Sequence, residues 1–235
     1  MATFVLVHGS WLGGWSWSRV RPRLLAAGHD VWAHSLTGLG DRRHLAAADV
    51  GLSTHIGDIV DLLRCEDLSE VILVGHSYGG MVVTGVAAAV PERIGQVVYV
   101  DAFVPQTGQS AFDILPWLRD AFANTAAAEP WAVAPFDFSA LGVEDDADLR
   151  WITGLATAMP RKTHEEPVPP GSEEVLGTRP VTYLQCAAQP LMDAVAADVA
   201  GRGFRVVRLL GVGHLGLITH PEEITLELLA VLPRS

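Results

Sequence analysis

Six short apolar runs punctuate the chain: TFVLVH (3–8), HDVWAHSL (29–36), EVILVG (70–75), QVVYVD (96–101), RPVTYLQC (179–186) and FRVVRLLG (204–211). Several are continuous in Val, Leu and Ile instead of alternating with polar residues. That pattern predicts strands buried on both faces, hence a parallel sheet covered by helices. The stretches between them read as helices at about 16–27, 53–66, 78–90, 191–201 and 221–232. Ser53 suits an N-cap, and His220 is placed to cap the last helix. Pro221, Glu222 and Glu223 fit that helix's first turn, where free N–H groups and the dipole favour proline and acids.

Residues 105–178 break this alternation. They hold Pro105, Pro116, Pro130, Pro135, Pro160, Pro167, Pro169 and Pro170, together with Trp117, Trp131, Trp151 and four phenylalanines. Such a segment is too apolar for a linker. It is expected to fold as a helical cap over the carboxyl ends of the strands, where ligands of parallel sheets bind. The expected organisation is a core of 1–104 and 179–235 with a cap insertion at 105–178.

Composition narrows the function classes. With 49% hydrophobic and 18% charged residues in 235, the chain has the material for one sizeable folded core. A net charge of −11 disfavours nucleic acid and anionic membrane as partners. No apolar run approaches the roughly 20 residues of a membrane span. The first strand opens at Thr3, which leaves no signal peptide to expect. Cys65 and Cys186 form no metal-ligand pattern and are expected to be buried free thiols. The expected setting is cytoplasmic, with a small-molecule substrate as partner, no cofactor and no metal, and a homodimer possible.

The chemistry concentrates in VILVGHSYGGMVV (71–83). Gly75-His76-Ser77-Tyr78-Gly79 fits the G-x-S-x-G elbow, a strand-to-helix turn that lifts a strained serine clear of the sheet. Glycines flank the serine because side chains there would collide. Upstream, VLVHGSWLGGWSW (5–17) places His8-Gly9 after a strand, so that the Ser10 and Tyr78 N–H groups would form an oxyanion hole. Downstream, RLLGVGHLGLITHPEEI (208–224) carries His214 after a strand and a Gly-x-Gly, the placement of a general base. His164-Glu165-Glu166 is a weak metal candidate, because no second ligand cluster accompanies it. EDDAD (144–148) reads as a solvated acidic loop.

HGSWLGGWSW (8–17), SLTGLGDR (35–42), GHSYGG (75–80) and YVDAFVPQTGQS (99–110), with the order Ser77…His214, resemble the α/β-hydrolase superfamily. More narrowly they resemble its branch of small plant methylesterases, plant hydroxynitrile lyases and bacterial esterase relatives. The likeness is good over 4–110 and 180–232 and loose in the cap. It implies an α/β-hydrolase fold with a mainly parallel sheet of about six strands, helices on both faces and an inserted cap. It also implies a serine esterase that needs no cofactor. The nitrile lyases carry Thr where this chain has Gly9 and Lys where it has Leu215, so the resemblance favours ester or lactone hydrolysis. Gly9, Trp11, His76, Trp117, Trp131 and Leu215 are the candidate substrate-binding residues.

The third member of the triad is open. The family's acid follows the fifth strand in a C-T-x-D stretch. Here that stretch is LQCAAQPLMDAV (184–195), with Gln189 in the acid's place. A neutral Gln can fix a tautomer, but it cannot stabilise an imidazolium as a carboxylate does. Asp101, at the end of the fourth strand, is the favoured replacement. Asp193 and no carboxylate at all are the alternatives. An altered acid also leaves room for a non-hydrolytic enzyme working by proton transfer, such as a lyase, a cyclase or a C–C-cleaving enzyme. A binding protein that has lost catalysis is a third reading.

Overall fold

The computed structural model describes residues 1–125 and 127–232. Six strands form one sheet: β1 (Thr3–Val7), β2 (Asp30–Trp32), β3 (Val71–His76), β4 (Ile94–Val100), β5 (Val181–Cys186) and β6 (Arg205–Leu209). They lie in the order β2-β1-β3-β4-β5-β6, with every neighbouring pair parallel. Alternate residues feed opposite faces. Val5, Val7, Leu73, Val97 and Tyr99 join one apolar cluster, and Phe4, Leu6, Val74, Val98 and Val100 join the other. The first cluster lies under the helices Leu52–Cys65, Gly79–Ala89 and Asp193–Gly201. The second lies under Arg21–Ala26 and Pro221–Ala230. The helix Gly79–Ala89 is buried along nearly its whole length, which its uniformly apolar sequence dictates.

The sheet and helices follow the sequence pattern with local departures. The edge strand β2 pairs only over Asp30–Trp32, shorter than the apolar run. Beyond Trp32 the chain turns away so that the Ser35 hydroxyl accepts the Gly14 N–H at 2.9 Å. The expected helix at 16–27 divides into a 3-10 turn, Gly14–Trp17, and a helix, Arg21–Ala26. Pro22 sits in the first turn of that helix, where its missing N–H costs nothing. Ser53 is not an N-cap. Its helix starts at Leu52, and the Ser53 N–H and hydroxyl both donate to the Glu166 carboxylate, at 2.8 and 3.1 Å. His220 occupies the N-cap position of the last helix without capping it; its Nδ1 pairs with the Thr219 hydroxyl instead.

Between β4 and β5 the chain forms short helices at Ala111–Ile114, Trp117–Ala123, Asp146–Leu155, Lys162–Glu165 and Ser172–Thr178. A two-residue antiparallel pair, Ala132–Val133 with Met159–Pro160, ties the segment together. The acidic run at 144–148 is not simply solvated. Asp145 caps the helix Asp146–Leu155 by accepting the Asp148 N–H at 2.8 Å. Asp148 pairs with Arg19, whose guanidinium also donates to the Ile218 carbonyl at 2.8 Å and lies over the Trp151 ring. The expectation of two buried thiols holds for Cys186 and fails for Cys65. Cys65 is the last residue of its helix, on the polar side away from Leu63, and is exposed.

Candidate active site

Ser77 follows β3 directly and has φ of +52°, a conformation that costs a side-chain-bearing residue energy and is held by its surroundings. A Cβ on Gly75 would lie 2.7 Å from the Gly79 carbonyl oxygen, and one on Gly79 would lie 2.6 Å from that of Val7. Both positions of the elbow therefore require glycine. The Ser77 carbonyl accepts from the N–H groups of Gly80 and Phe103, and its own N–H points to the Val100 carbonyl at 3.3 Å. The turn is pinned on both sides.

Asp101 follows β4 in the same way. His76 and Val100 are paired in the sheet register, so Ser77 and Asp101 are the next residues of two adjacent strands. Asp101 also has a positive φ, +44°. Its N–H donates to the Leu184 carbonyl at 2.8 Å, and its Oδ1 accepts the Cys186 N–H at 3.0 Å. Its Oδ2 lies 2.7 Å from His214 Nδ1, and His214 Nε2 lies 3.0 Å from Ser77 Oγ. An ionised carboxylate only accepts, so His214 Nδ1 carries the hydrogen and Nε2 accepts from the Ser77 hydroxyl. All three residues are buried or nearly so.

The other carboxylate candidate is engaged elsewhere. Asp193 begins a helix and its Oδ1 accepts from Gln185 Nε2 at 2.6 Å. Gln189 lies against Gly142 and makes no hydrogen bond to His214; its Oε1 is buried without a partner among the described residues.

Among the described residues, neither the Ser10 N–H nor the Tyr78 N–H donates to a protein acceptor. The side chains of these two residues are fixed through histidines. The Tyr78 hydroxyl meets His55 Nδ1 at 2.9 Å, and His55 Nε2 meets the Thr37 carbonyl at 2.9 Å. Because that carbonyl can only accept, Nε2 is the donor and Nδ1 accepts from the tyrosine. The Tyr78 ring stacks on His164 at 4.7 Å, and His164 Nε2 is 3.1 Å from Ser10 Oγ. Burial drives the His164 pKa down to about 3 and that of His8 to about 4, so both are neutral.

A small cavity of about 40 Å³ opens beside Ser77 and His214. Apart from those two residues and the Ser10–His164 pair, its lining is apolar: Trp11, Phe103, Leu115, Trp117, Leu118, Phe136, Leu141, Leu191 and Met192. Trp117, 48% exposed, lies on its rim. Of the sequence-derived binding candidates, Trp11 and Trp117 line the cavity and four do not. Gly9 sits behind Ser77, where a Cβ would come within 2.8 Å of the Ser77 Cβ, so it provides clearance and not contact. His76 packs between Trp17 and His214 and donates Nε2–H to the His214 carbonyl at 2.8 Å. Leu215 points into the core cluster under the last helix. Trp131 is half-buried beside the small antiparallel pair, its carbonyl accepting from Arg161 N–H. Sequence reasoning missed His164 as a cavity residue, because its partner Ser10 lies 154 positions away.

A parallel sheet with a strained serine in a strand-to-helix turn and a histidine returning from a distant loop is the arrangement of the α/β hydrolases, here with the carboxylate on the strand adjacent to that of the serine. The chain belongs to the alpha/beta hydrolase family, whose model matches residues 4–227. Over 116 residues it is 51% identical to a carbendazim hydrolyzing esterase of Nocardioides sp. (strain SG-4G), a match covering 49% of this chain and 48% of the relative. Over 142 residues it is 37% identical to methylesterase 8 of Arabidopsis thaliana, covering 54% and 46%. The matches thus span about half the length of these curated relatives. The solved structure of an extracellular alpha/beta-hydrolase from a Paenibacillus species is similar over 100% of both chains, with TM-score 0.81 and 26% identity. That protein is described as sharing structural and functional homology with tobacco salicylic acid-binding protein 2.

Proposed function

We propose that this chain is a serine carboxylesterase acting on a small, uncharged, apolar or aromatic ester. Ser77 Oγ attacks the ester carbonyl while its proton passes to His214 Nε2. Asp101 holds the resulting imidazolium through Nδ1–H. The carbonyl oxygen, now an anion, is received by the Ser10 and Tyr78 N–H groups; removing one such donor typically costs about 10²–10³ in rate. His214 then returns the proton to the departing alkoxide, which leaves as the alcohol. A water molecule, deprotonated by the same nitrogen, releases the acid from Ser77.

The observation that carries this reading is the continuous chain of contacts from Asp101 through His214 to Ser77, 2.7 and 3.0 Å long. The lining supports the substrate class: among the described residues no lysine or arginine borders the cavity to hold an anionic acyl group. We take the 105–178 segment to act as the cap, since Leu115, Trp117, Leu118, Phe136, Leu141 and His164 all belong to it. Among the described residues no helix is long and apolar enough to cross a membrane. Cys65 and Cys186 are unpaired, which supports a reducing, cytoplasmic setting. The test is turnover of p-nitrophenyl acetate with labelling of Ser77 by a fluorophosphonate. Wild-type turnover and labelling, both lost in Ser77→Ala, are expected; turnover persisting in Ser77→Ala overturns the reading.

A further inference from the structure

The hydrogens around His164 can be placed one by one. Thr163 Oγ1 lies 2.7 Å from the Pro160 carbonyl oxygen and 2.9 Å from His164 Nδ1. A carbonyl cannot donate, so the single hydroxyl hydrogen of Thr163 goes to Pro160. Thr163 must then accept from His164 Nδ1–H. In the neutral imidazole this leaves Nε2 with a lone pair, 3.1 Å from Ser10 Oγ. The Ser10 hydroxyl hydrogen is therefore committed to His164, and the Ser10 oxygen retains only acceptor capacity.

Ser10 and His164 both line the cavity, and the ring of His164 is locked between Tyr78 and Phe122, each 4.7 Å away between centroids. The imidazole cannot readily swing to release Ser10. Ser77 Oγ is likewise committed as a donor, to His214. The remaining lining is apolar, so the cavity presents a fixed acceptor on the residue whose N–H faces the oxyanion position. A hydroxyl hydrogen free to rotate would suit donors and acceptors alike; one already committed does not.

We propose that Ser10, polarised by His164, is a specificity determinant that selects esters carrying an O–H or N–H donor on the atom next to the reacting carbonyl, as in an α-hydroxy ester. This rests on the esterase reading for the placement of the carbonyl at the Ser10 and Tyr78 N–H groups. A donor there meets the Ser10 oxygen. An ether oxygen in its place meets lone pairs, and a bare methylene leaves the buried oxygen without a new partner.

The experiment separates recognition from turnover. Binding of methyl mandelate, methyl α-methoxyphenylacetate and methyl phenylacetate to the Ser77→Ala protein is measured by calorimetry. Methyl mandelate is expected to bind about fivefold more tightly than either analogue. That preference should fall to about twofold or less in Ser77→Ala/Ser10→Ala. The preference over the methoxy analogue should also fall in Ser77→Ala/His164→Phe, which keeps an aromatic ring against Tyr78 but frees the serine hydrogen to meet an acceptor. Equal affinities for the three esters, no binding of any, or a preference that survives both double variants overturns the proposal. Turnover of p-nitrophenyl acetate by the wild type reads the esterase assignment independently.

Discussion

Asp101 Oδ2 is 2.7 Å from His214 Nδ1, whereas Gln189, at the position after β5 where the family resemblance places the acid, makes no bond to that imidazole. The carboxylate that meets this imidazole follows the strand next to the one that carries Ser77. Asp101→Asn should lower kcat by about 10²–10⁴ while leaving KM near its wild-type value, because the loss falls on the charged imidazolium of the transition state. Gln189→Asp alone should leave kcat close to wild type, since His214 Nδ1 already has its acceptor. A marked rise in kcat for Gln189→Asp, in steady-state assays with p-nitrophenyl esters, would contradict this assignment.

Gly9 is a steric requirement. A Cβ there would lie 2.8 Å from the Ser77 Cβ and 2.9 Å from His76 Nδ1. Neither neighbour can retreat easily, as Ser77 is held in a positive-φ turn and His76 is buried. Gly9→Ala should displace the nucleophile and cost about 10² in kcat/KM. Fluorophosphonate labelling of the folded variant should slow in proportion, which a loss of substrate binding alone would not produce.

His76 acts on the base through the backbone. Replacing it by Phe leaves the buried His214 carbonyl without its donor, a cost of about 1–3 kcal/mol. The midpoint of urea unfolding should fall accordingly. The same variant should lose kcat because the loop carrying His214 is released, and its KM should change less.

Buried neutral histidines set an acid limit. His8 and His164, with pKa values lowered to about 4 and about 3, stay neutral in the fold while their unfolded counterparts protonate near 6.5. The unfolded chain binds more protons between those values, so stability falls as the pH falls through that window. Their contribution is complete above pH 6.5 and is lost progressively toward pH 4 for His8 and pH 3 for His164. Each histidine should give a slope of about 1.4 kcal/mol per pH unit. Urea melts of wild type and of His164→Phe between pH 7 and pH 4.5 should show a shallower slope in the variant.

The main sheet was legible because buried parallel strands leave continuous apolar runs, and β1, β3, β4, β5 and β6 lie within a residue or two of the runs that announce them. The serine elbow was legible because its glycines answer a local steric demand. His164 was not. It sits in a proline-rich stretch without periodicity, and its meaning depends on Ser10, Tyr78 and Thr163 converging in space. Trp131 and His76 failed as cavity residues for a related reason: residue type suggested contact with a ligand, but which way a side chain faces is set by packing. The place of Gln189 showed that the usual acid was missing, and only the pairing of His76 with Val100 explains how Asp101 comes to lie beside Ser77 and within reach of His214.

That pairing has a consequence for how the centre is built. Ser77 and Asp101 follow adjacent rungs' ends on one hydrogen-bonded ladder, so the spacing between their backbones is set by the sheet. Only the imidazole arrives from outside. The contacts from Asp101 to Ser77 thus use no side chain of the loop after β5, whereas they depend on the loop after β6 for His214.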